Sequence, residues 1–278
     1  MNFRTPQFFG LHARPSKYSR IILAIIPFII CIAVYISASH YRHIENPQDK
    51  ILPTFSQMGD AVYRLAFERD PRTEEYLMLN DIISSLKRLL IGILAASFLG
   101  LILGINMGLF RGLEALSSVF ITVVSIIPPL AVLPILFIIF GVDEFAKIFL
   151  IFFGTFPLIC RDIFLYAKKI PQEQITKSLT LGASQFRITY SIILPQIIPR
   201  LIDTTRLSFG AAWLFLIASE AIASTNGLGY RIFLVRRYLA MDIIIPYVIL
   251  ITLLGFLIDW LLKKTVIRKY SWYVQQDL

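Results

Sequence analysis

Charge is scarce in this sequence. Charged residues make up only 16% of its 278 residues, whereas about a quarter is usual in soluble domains. Apolar residues make up 56% and the mean hydropathy is +0.70, so the composition excludes a water-soluble globule and a disordered chain. The apolar runs are continuous and do not alternate at every second position, which also excludes a membrane β-barrel. The sequence therefore predicts an all-α polytopic membrane protein.

Cysteine and histidine are also rare. The two cysteines, Cys31 and Cys160, lie in or beside apolar segments, and the three histidines lie outside these segments. Neither a disulfide framework nor a set of metal ligands is indicated, so we expect no metal ion on this chain. The sequence also has no phosphate-binding G-x-x-x-x-G-K-[S/T] motif. We therefore expect no cofactor on this chain and assign any ATP chemistry to another subunit.

Six apolar segments are long enough to cross a membrane, since ~30 Å of hydrocarbon takes about 20 residues. The first has a basic flank without acidic residues. A cleaved secretory signal is the alternative for this segment, but its apolar stretch is too long for one. We predict spans at 21–39, 89–109, 117–141, 146–166, 207–223 and 243–262.

The polar segments between the spans complete the predicted organisation. An external loop, 40–84, is expected to contain a short amphipathic helix at Met58–Phe67. A five-helix core, 85–262, includes a cytoplasmic coupling loop at 167–206. The termini form a cytoplasmic segment, 1–20, and a basic tail, 263–278.

Basic residues predict the orientation, because Lys and Arg accumulate on the cytoplasmic side of a membrane. Residues 1–20 contain four basic and no acidic residues, 161–206 contain seven and three, and 263–278 contain four and one. Six spans place all three segments on one side, so we predict that both termini are cytoplasmic. Basic membrane flanks facing anionic lipid then account for the net charge of +9, and no nucleic-acid partner is expected.

The second span contains two overlapping G-x-x-x-G spacings, at Gly100, Gly104 and Gly108. Small residues four positions apart let the backbone of another helix come close. The alternative is a chance spacing in a helix rich in small residues.

Prolines interrupt the third span, at Pro128, Pro129 and Pro134, so part of it must kink or unwind. Broken backbone at membrane depth requires protein or a water-filled cavity beside it. The segment 126–134 therefore either lines a translocation pathway or kinks only for packing.

The longest interior polar stretch contains helix signals on both sides of a glycine. Pro171 starts a helix well, because the N–H that proline lacks would be unsatisfied at that position. This helix should end at Gly182, which can adopt the left-handed conformation. Ser184 should cap a second helix, 185–194, that ends before Pro195. We predict a helix–glycine–helix elbow in the cytoplasm, and its exposed apolar tip implies another protein that receives it.

The elbow carries a resemblance to a known family. Gly182, nine further residues and Ile192-x-Leu194-Pro195 match the second half of the "EAA loop" of ABC-importer permeases, although Thr176-Lys177-Ser178 stands where that family has Glu-Ala-Ala. The position between the fourth and fifth of six spans makes this match specific. Shorter motifs within residues 80–270 resemble the nitrate/sulfonate/taurine branch of the family, including Ile127-Pro128, Leu181-Gly182-Ala183-Ser184, Ala212-Trp213, Ser219-Glu220-Ala221 and Gly227-Leu228-Gly229.

This resemblance implies a homodimeric permease of a type I ABC importer in the bacterial inner membrane. Two ABC ATPase subunits, which hold ATP and Mg²⁺, would bind at the cytoplasmic face, and a solute-binding protein would dock outside. Rigid-body movement of the elbows would switch the dimer between inward-facing and outward-facing states. Small oxyanions such as taurine, alkanesulfonates or nitrate are the implied solutes. The implied ATPase-coupling residues are Ser178, Leu181, Gly182, Ala183, Ser184, Phe186, Arg187 and Pro195.

Polar side chains within the spans are the remaining candidates. An intramembrane carboxylate costs ~2.5–3.5 kcal/mol even on lenient scales, so Glu220 either lines a gate or pairs with one of three cations. Asp259 is expected to pair with Lys263, four residues later. Trp213 either lines the pathway or packs in the core. The three cations considered as partners of Glu220 are Lys87, Arg88 and Arg231. The full set of pathway or gate candidates is Pro128, Pro129, Pro134, Trp213, Ser219 and Glu220.

Two other classes of protein compete with this interpretation. A secondary transporter or channel usually shows an inverted repeat or several charges at midspan, and neither is evident. An integral-membrane enzyme needs a cluster of His, Cys or carboxylates that faces one cavity, and the sequence shows none. The first class remains the main alternative, and copurification of an ATPase subunit would discriminate against it.

Overall fold

The computed structural model describes residues 16–47, 49–71, 74–222 and 224–276, and all the regular structure in these residues is helical. The helices alternate between long apolar segments and short connecting segments. They are α1 (Lys17–Glu45), α2 (Phe55–Phe67), α3 (Leu77–Leu109), α4 (Arg111–Ile126), α5 (Pro129–Phe140), α6 (Glu144–Ala167), α7 (Gln172–Thr180), α8 (Gln185–Arg187), a π-helical segment (Ile188–Ile193), α9 (Leu194–Ile222), α10 (Leu228–Arg236), α11 (Met241–Lys269) and α12 (Ser271–Gln276).

Five helical stretches in this part of the chain are long and apolar enough to cross a membrane, and a bent pair makes a sixth span if it is counted as one. The bent pair is α4 and α5, whose axes differ by 97°. Pro128 lies at the break and Pro129 begins α5. A proline has no N–H to donate and disfavours helical conformation in the residue before it. The predicted interruption of the third span is therefore confirmed.

Helices α3 and α6 pack closely through the glycines of α3. A Cβ atom placed on Gly104 would lie 2.7 Å from the Cys160 carbonyl oxygen and 2.8 Å from the Cβ of Ile163. One placed on Gly100 would lie 3.0 Å from a side-chain atom of Ile159. The G-x-x-x-G spacings thus mark a close approach of two backbones, as one of the two interpretations predicts.

The fifth predicted span and the second helix of the elbow form one continuous stretch, 185–222. The prediction that this helix stops before Pro195 is wrong. A π-helical segment precedes the proline, and at its end the N–H of Leu194 donates to the carbonyl of Thr189, five residues back. This wider turn removes the α-helical clash between a proline ring and the carbonyl four residues earlier, so the chain remains helical.

The core lies among α3, α6, α9 and α11. Its fully buried members include Leu89, Leu150, Leu216 and Tyr247. Helix α1 is different, because Ser39 is its one buried residue. Two hydroxyls of α1 hold the segment before α2: Tyr35 donates to the Pro53 carbonyl (2.7 Å) and Ser39 to the Leu52 carbonyl (2.9 Å).

Candidate functional site: an exposed elbow and a buried ionic network

The elbow, Leu181–Phe186, joins α7 to α8. Helix α7 ends in a Schellman motif, in which the Gly182 N–H donates to the Leu179 carbonyl (2.9 Å) and the Ala183 N–H to the Ser178 carbonyl (3.0 Å). This motif requires a left-handed residue, and Gly182 has φ +83°. The predicted helix end at Gly182 is confirmed.

The second side of the elbow begins with a side-chain cap. The Oγ of Ser184 accepts a hydrogen bond from the Arg187 N–H (3.3 Å), which satisfies one of the free donors of the helix start. The prediction that Ser184 caps the second helix is therefore confirmed. The Phe186 ring lies 4.6 Å from the Tyr190 ring, centroid to centroid.

The tip of the elbow is apolar and exposed. Leu181 is 87% exposed and Phe186 is 72% exposed, whereas Ala183 packs against the apolar cluster of α6 and the π-helical segment. A Cβ atom on Gly182 would meet no atom within 4 Å, so its conformation alone, and no packing contact, requires glycine. The elbow is a projection whose shape is fixed by local hydrogen bonds and which carries two large apolar side chains at its end.

The elbow packs near the end of α3, where Leu109 and Ala183 share one apolar cluster. Near the start of α3 lies an ionic network of six residues from α3, α6, α9 and α10. Arg88 is its centre and is 2% exposed. Its guanidinium donates to Glu144 at 2.5 and 2.6 Å through Nε and Nη2, and to Glu220 at 2.7 Å through Nη1. The six residues of the ionic network are Asp81, Arg88, Glu144, Lys147, Glu220 and Arg231.

The ionic network also fixes the segment that follows α9. Three consecutive backbone N–H groups, of residues 227–229, donate to Asp81 (2.9 Å), Ser85 (2.8 Å) and Glu220 (2.8 Å) in turn. Gly227 has φ +121°, and a Cβ there would lie 2.7 Å from Nη1 of Arg88. The segment therefore enters α10 directly against the buried charges.

Asp81 anchors the second half of the ionic network. Its Oδ2 accepts from Nε of Arg231 (2.8 Å) and from the Tyr247 hydroxyl (2.9 Å), and Asp81 is fully buried. A buried carboxylate is stable only when it is paired and hydrogen-bonded, and Asp81 meets both conditions. The ionic network thus joins α3, α10 and α11.

The sequence profile of the binding-protein-dependent transport system inner membrane components matches residues 90–266. The chain belongs to this family. This permease is a multi-pass protein of the inner membrane and a subunit of an ABC importer. The match includes both the elbow and most of the ionic network.

Two curated relatives and one solved structure are similar to this permease. The taurine transport system permease protein TauC of Escherichia coli is 31% identical over 190 residues, which are 68% of this chain and 69% of TauC. The putative aliphatic sulfonates transport permease protein SsuC of Escherichia coli is 35% identical over 146 residues, 52% of this chain and 56% of SsuC. An inward-facing structure of the MetNI methionine ABC transporter has a TM-score of 0.59 at 19% identity, covering 69% of this chain and 95% of that chain. This last likeness shows the fold.

One of the predicted gate residues, Glu220, forms an ion pair within the ionic network. Glu220 is fully buried and binds Arg88, which is one of the three cations considered for it. Ser219 beside it is also fully buried, and its hydroxyl donates to the Leu216 carbonyl (2.8 Å). The structural pairing of Glu220 is therefore observed.

The other predicted pathway residues lie apart from the ionic network. Pro128 and Pro134 are exposed on the bent pair and Pro129 is half-buried. Trp213 is 7% exposed within the core, with an indole Nε1 that has no hydrogen-bond partner in the described residues. Asp259 does not pair with Lys263 as predicted, because α9 crosses α11 and brings Nε of Arg206 to 3.2 Å from its Oδ1.

Sequence reasoning missed half of the ionic network. It considered Arg88 and Arg231 only as possible partners of Glu220, and it did not consider Asp81, Glu144 or Lys147. A signal was present, because Arg88 and Lys147 stand next to long apolar runs. A cation at such a position is costly unless an anion is near, so each one predicts a buried partner.

Proposed function

We propose that this permease passes a small solute that carries an oxyanion group, such as taurine, an alkanesulfonate or nitrate, into the cytoplasm, and that ATP hydrolysis by partner subunits drives the transport. The observation that carries the coupling is the exposed elbow with Leu181 and Phe186 at its tip. The sequence relatives TauC and SsuC, named for taurine and aliphatic sulfonates, support the solute class.

The partners follow from the same proposal. Two ABC ATPase subunits, which hold ATP and Mg²⁺, would each receive one elbow, and a solute-binding protein would dock at the ionic-network end of the bundle. A second copy of this permease would complete the pathway. Because α8 continues through the π-helical segment into α9, movement at the elbow would be transmitted along a single helical stretch to the end that carries Glu220.

The residues in and beside the elbow have different roles in the proposed coupling to the ATPase. Gly182 and Ser184 fix its shape through the Schellman motif and the N-cap, and Ser178 takes part because its carbonyl accepts from Ala183. Leu181, Phe186 and Arg187 are exposed and would contact the ATPase. Ala183 packs inward, and Pro195 lies in the first turn of α9.

A reconstituted complex tests the proposal. The permease, the ATPase subunits and the binding protein are incorporated into liposomes, and uptake of labelled taurine is measured with and without internal ATP. We expect uptake that requires ATP and a loss of ATPase stimulation in the doubly substituted variant Leu181→Ser/Phe186→Ser. Uptake driven by an ion gradient without ATP would support a secondary transporter instead.

A matched control separates coupling from folding. Leu116→Ser changes an apolar side chain of α4 that is 75% exposed and is not part of the elbow. We expect this variant to retain ATP-dependent uptake. Equal loss of uptake in both variants would contradict a specific role for the elbow.

A further inference from the structure

We propose that Glu144 is a displaceable carboxylate that occupies an oxyanion subsite of this permease, and that the fixed cationic groups of the subsite are Arg88 and Lys147. The inference rests on the proposed function, since it assigns a transient binding site for a small oxyanion at the ionic-network end of the bundle. It concerns a monoanion whose charge is spread over several oxygens, such as a sulfonate.

Glu144 differs from the rest of the ionic network in its exposure. Its side chain is 58% exposed, whereas those of Arg88, Lys147 and Glu220 are at most 4% exposed. The buried members are held by packing and by contacts from several helices. Glu144 is the first residue of α6, so its carboxylate can leave by a change of side-chain rotamer, without any movement of the helix.

The groups that hold the Glu144 carboxylate are those that bind oxyanions. Arg88 presents Nε and Nη2 as a two-pronged donor at 2.5 and 2.6 Å, and Nζ of Lys147 lies 3.3 Å from one of the same oxygens. A guanidinium edge binds the oxygens of a carboxylate or a sulfonate in the same bidentate geometry. A small oxyanion can therefore replace the carboxylate atom for atom.

Space for such an ion lies beside these groups. A cavity of about 370 Å³ is lined by Glu144, Lys147 and Ser224 together with Asp143, Val142 and others. The Ser224 hydroxyl accepts from Nζ of Lys147 (3.2 Å) and donates to the Asn226 carbonyl (2.6 Å), so it helps to hold the Lys147 ammonium at the cavity wall. The cavity opens at the surface of the protein, so an ion can enter it from solvent.

The charge of the ionic network fits a monoanion. Asp81, Glu144 and Glu220 balance Arg88, Lys147 and Arg231, so the closed network has no net charge. When the Glu144 carboxylate moves out, two anions face three cations, and the remaining charge is +1. An incoming monoanion restores neutrality, whereas an unoccupied site leaves a buried cation with too few partners, which is costly.

Competition from the Glu144 carboxylate, which is attached to the chain, also explains why the subsite would bind an ion weakly. Glu144 competes with the solute at a high effective concentration, so the bound ion is readily released. A transient binding site on a translocation pathway must bind weakly enough to let the solute leave. Removing the competitor should therefore strengthen binding of the ion, which is the opposite of what loss of a binding residue does.

Titration with methanesulfonate as the probe tests the subsite. The permease and its ATPase subunits, without binding protein, are placed in nanodiscs, and the dissociation constant is measured by saturation-transfer NMR. We expect Glu144→Ala to bind methanesulfonate about 10-fold more tightly than the wild type. Adding Lys147→Met to Glu144→Ala should reverse most of this gain.

Asp143→Asn is the matched control. Asp143 lines the same cavity and carries the same charge, but no hydrogen bond or ion pair to Arg88 is described for it. We expect a change of less than 2-fold. If Glu144→Ala does not assemble, Glu144→Gln is used in the same way, because it keeps the side-chain size and removes the charge that holds it on Arg88.

The outcomes are distinct. Equal dissociation constants for the Glu144 and Asp143 variants, or an equal gain for chloride, would overturn the oxyanion subsite. If the wild-type complex also showed no ATP-dependent uptake, the proposed function would fall with it. Normal uptake together with no gain for methanesulfonate would overturn the subsite alone.

Discussion

The two ends of this permease are built by opposite means. The elbow consists of consecutive residues, carries its apolar side chains outward and is held by local caps at Gly182 and Ser184. The ionic network unites residues up to 150 positions apart, such as Asp81 and Arg231, and buries their charges. The segment that we propose to contact another protein is thus shaped by hydrogen bonds of its own backbone, whereas the segment that joins several helices depends on long-range pairing.

This difference predicts how each end responds to change. Substitutions of the buried residues of the ionic network should mainly affect folding stability, because they leave buried charges unpaired. Substitutions in the elbow should mainly affect coupling, because its side chains make few contacts within the chain.

Arg88→Met should have the largest effect. It leaves Glu220 buried without its cation, and breaking a buried ion pair on one side typically costs ~3–5 kcal/mol. Thermal unfolding of the purified permease in detergent measures the loss. Lys87→Met is the control, since Lys87 is exposed on the same helix turn, and equal losses in the two variants would show that the ionic network is not what stabilises this end.

Gly104→Ala should have the next largest effect. The added methyl group meets the Cys160 carbonyl and Ile163, and overpacking of this kind costs ~1–3 kcal/mol. Gly210→Ala is the matched change in another span, where a Cβ meets no atom within 4 Å. We expect Gly210→Ala to leave the unfolding midpoint of the isolated permease nearly unchanged, and the reverse order would refute close packing of α3 on α6.

Gly182→Ala should follow, because alanine in the left-handed region costs ~1–2 kcal/mol. Its effect on ATPase stimulation should exceed its effect on unfolding of the spans. Gly182→Asn should retain more stimulation, since asparagine tolerates this conformation. If alanine and asparagine gave the same stimulation as glycine, the fixed shape of the elbow would not matter for coupling.

The smallest effect should come from pH acting on Asp49, in the segment between α1 and α2. Hydrogen bonds from the Arg42 guanidinium, at 2.9 and 3.2 Å, hold the pKa of the Asp49 carboxyl below its ordinary value. Its stabilising contribution is therefore complete above the unfolded pKa of about 3.9 and is lost as the pH falls through the lower native value. Asp49→Asn should differ from the wild type in unfolding midpoint at pH 7, and the difference should shrink as the pH falls below about 4.

The elbow could be predicted in detail because its determinants are local. Pro171 as a helix start, Gly182 in the left-handed region and Ser184 as an N-cap depend on residues within a few positions of each other. The proline break at Pro128 is predictable for the same reason.

Prediction failed at one local feature, the turn before Pro195, and at the charges whose partners come from a distant segment. Pro195 was expected to end a helix, but the π-helical turn accommodates it within one long helix. Asp259 was assigned to its nearest cation in sequence, whereas a crossing helix supplies Arg206. The pairing of Glu220 was narrowed to three cations, and only the packing of α3 on α9 selects Arg88.

The amino-acid sequence by itself determined the membrane class, the six apolar segments and the shape of the elbow, because hydrophobicity and backbone conformation act over short stretches of chain. The tertiary structure alone decided which charges meet, since ion pairs depend on how helices cross. The pairing within the ionic network and the exposure of Glu144 above it belong to this second class, because no spacing along the chain specifies them.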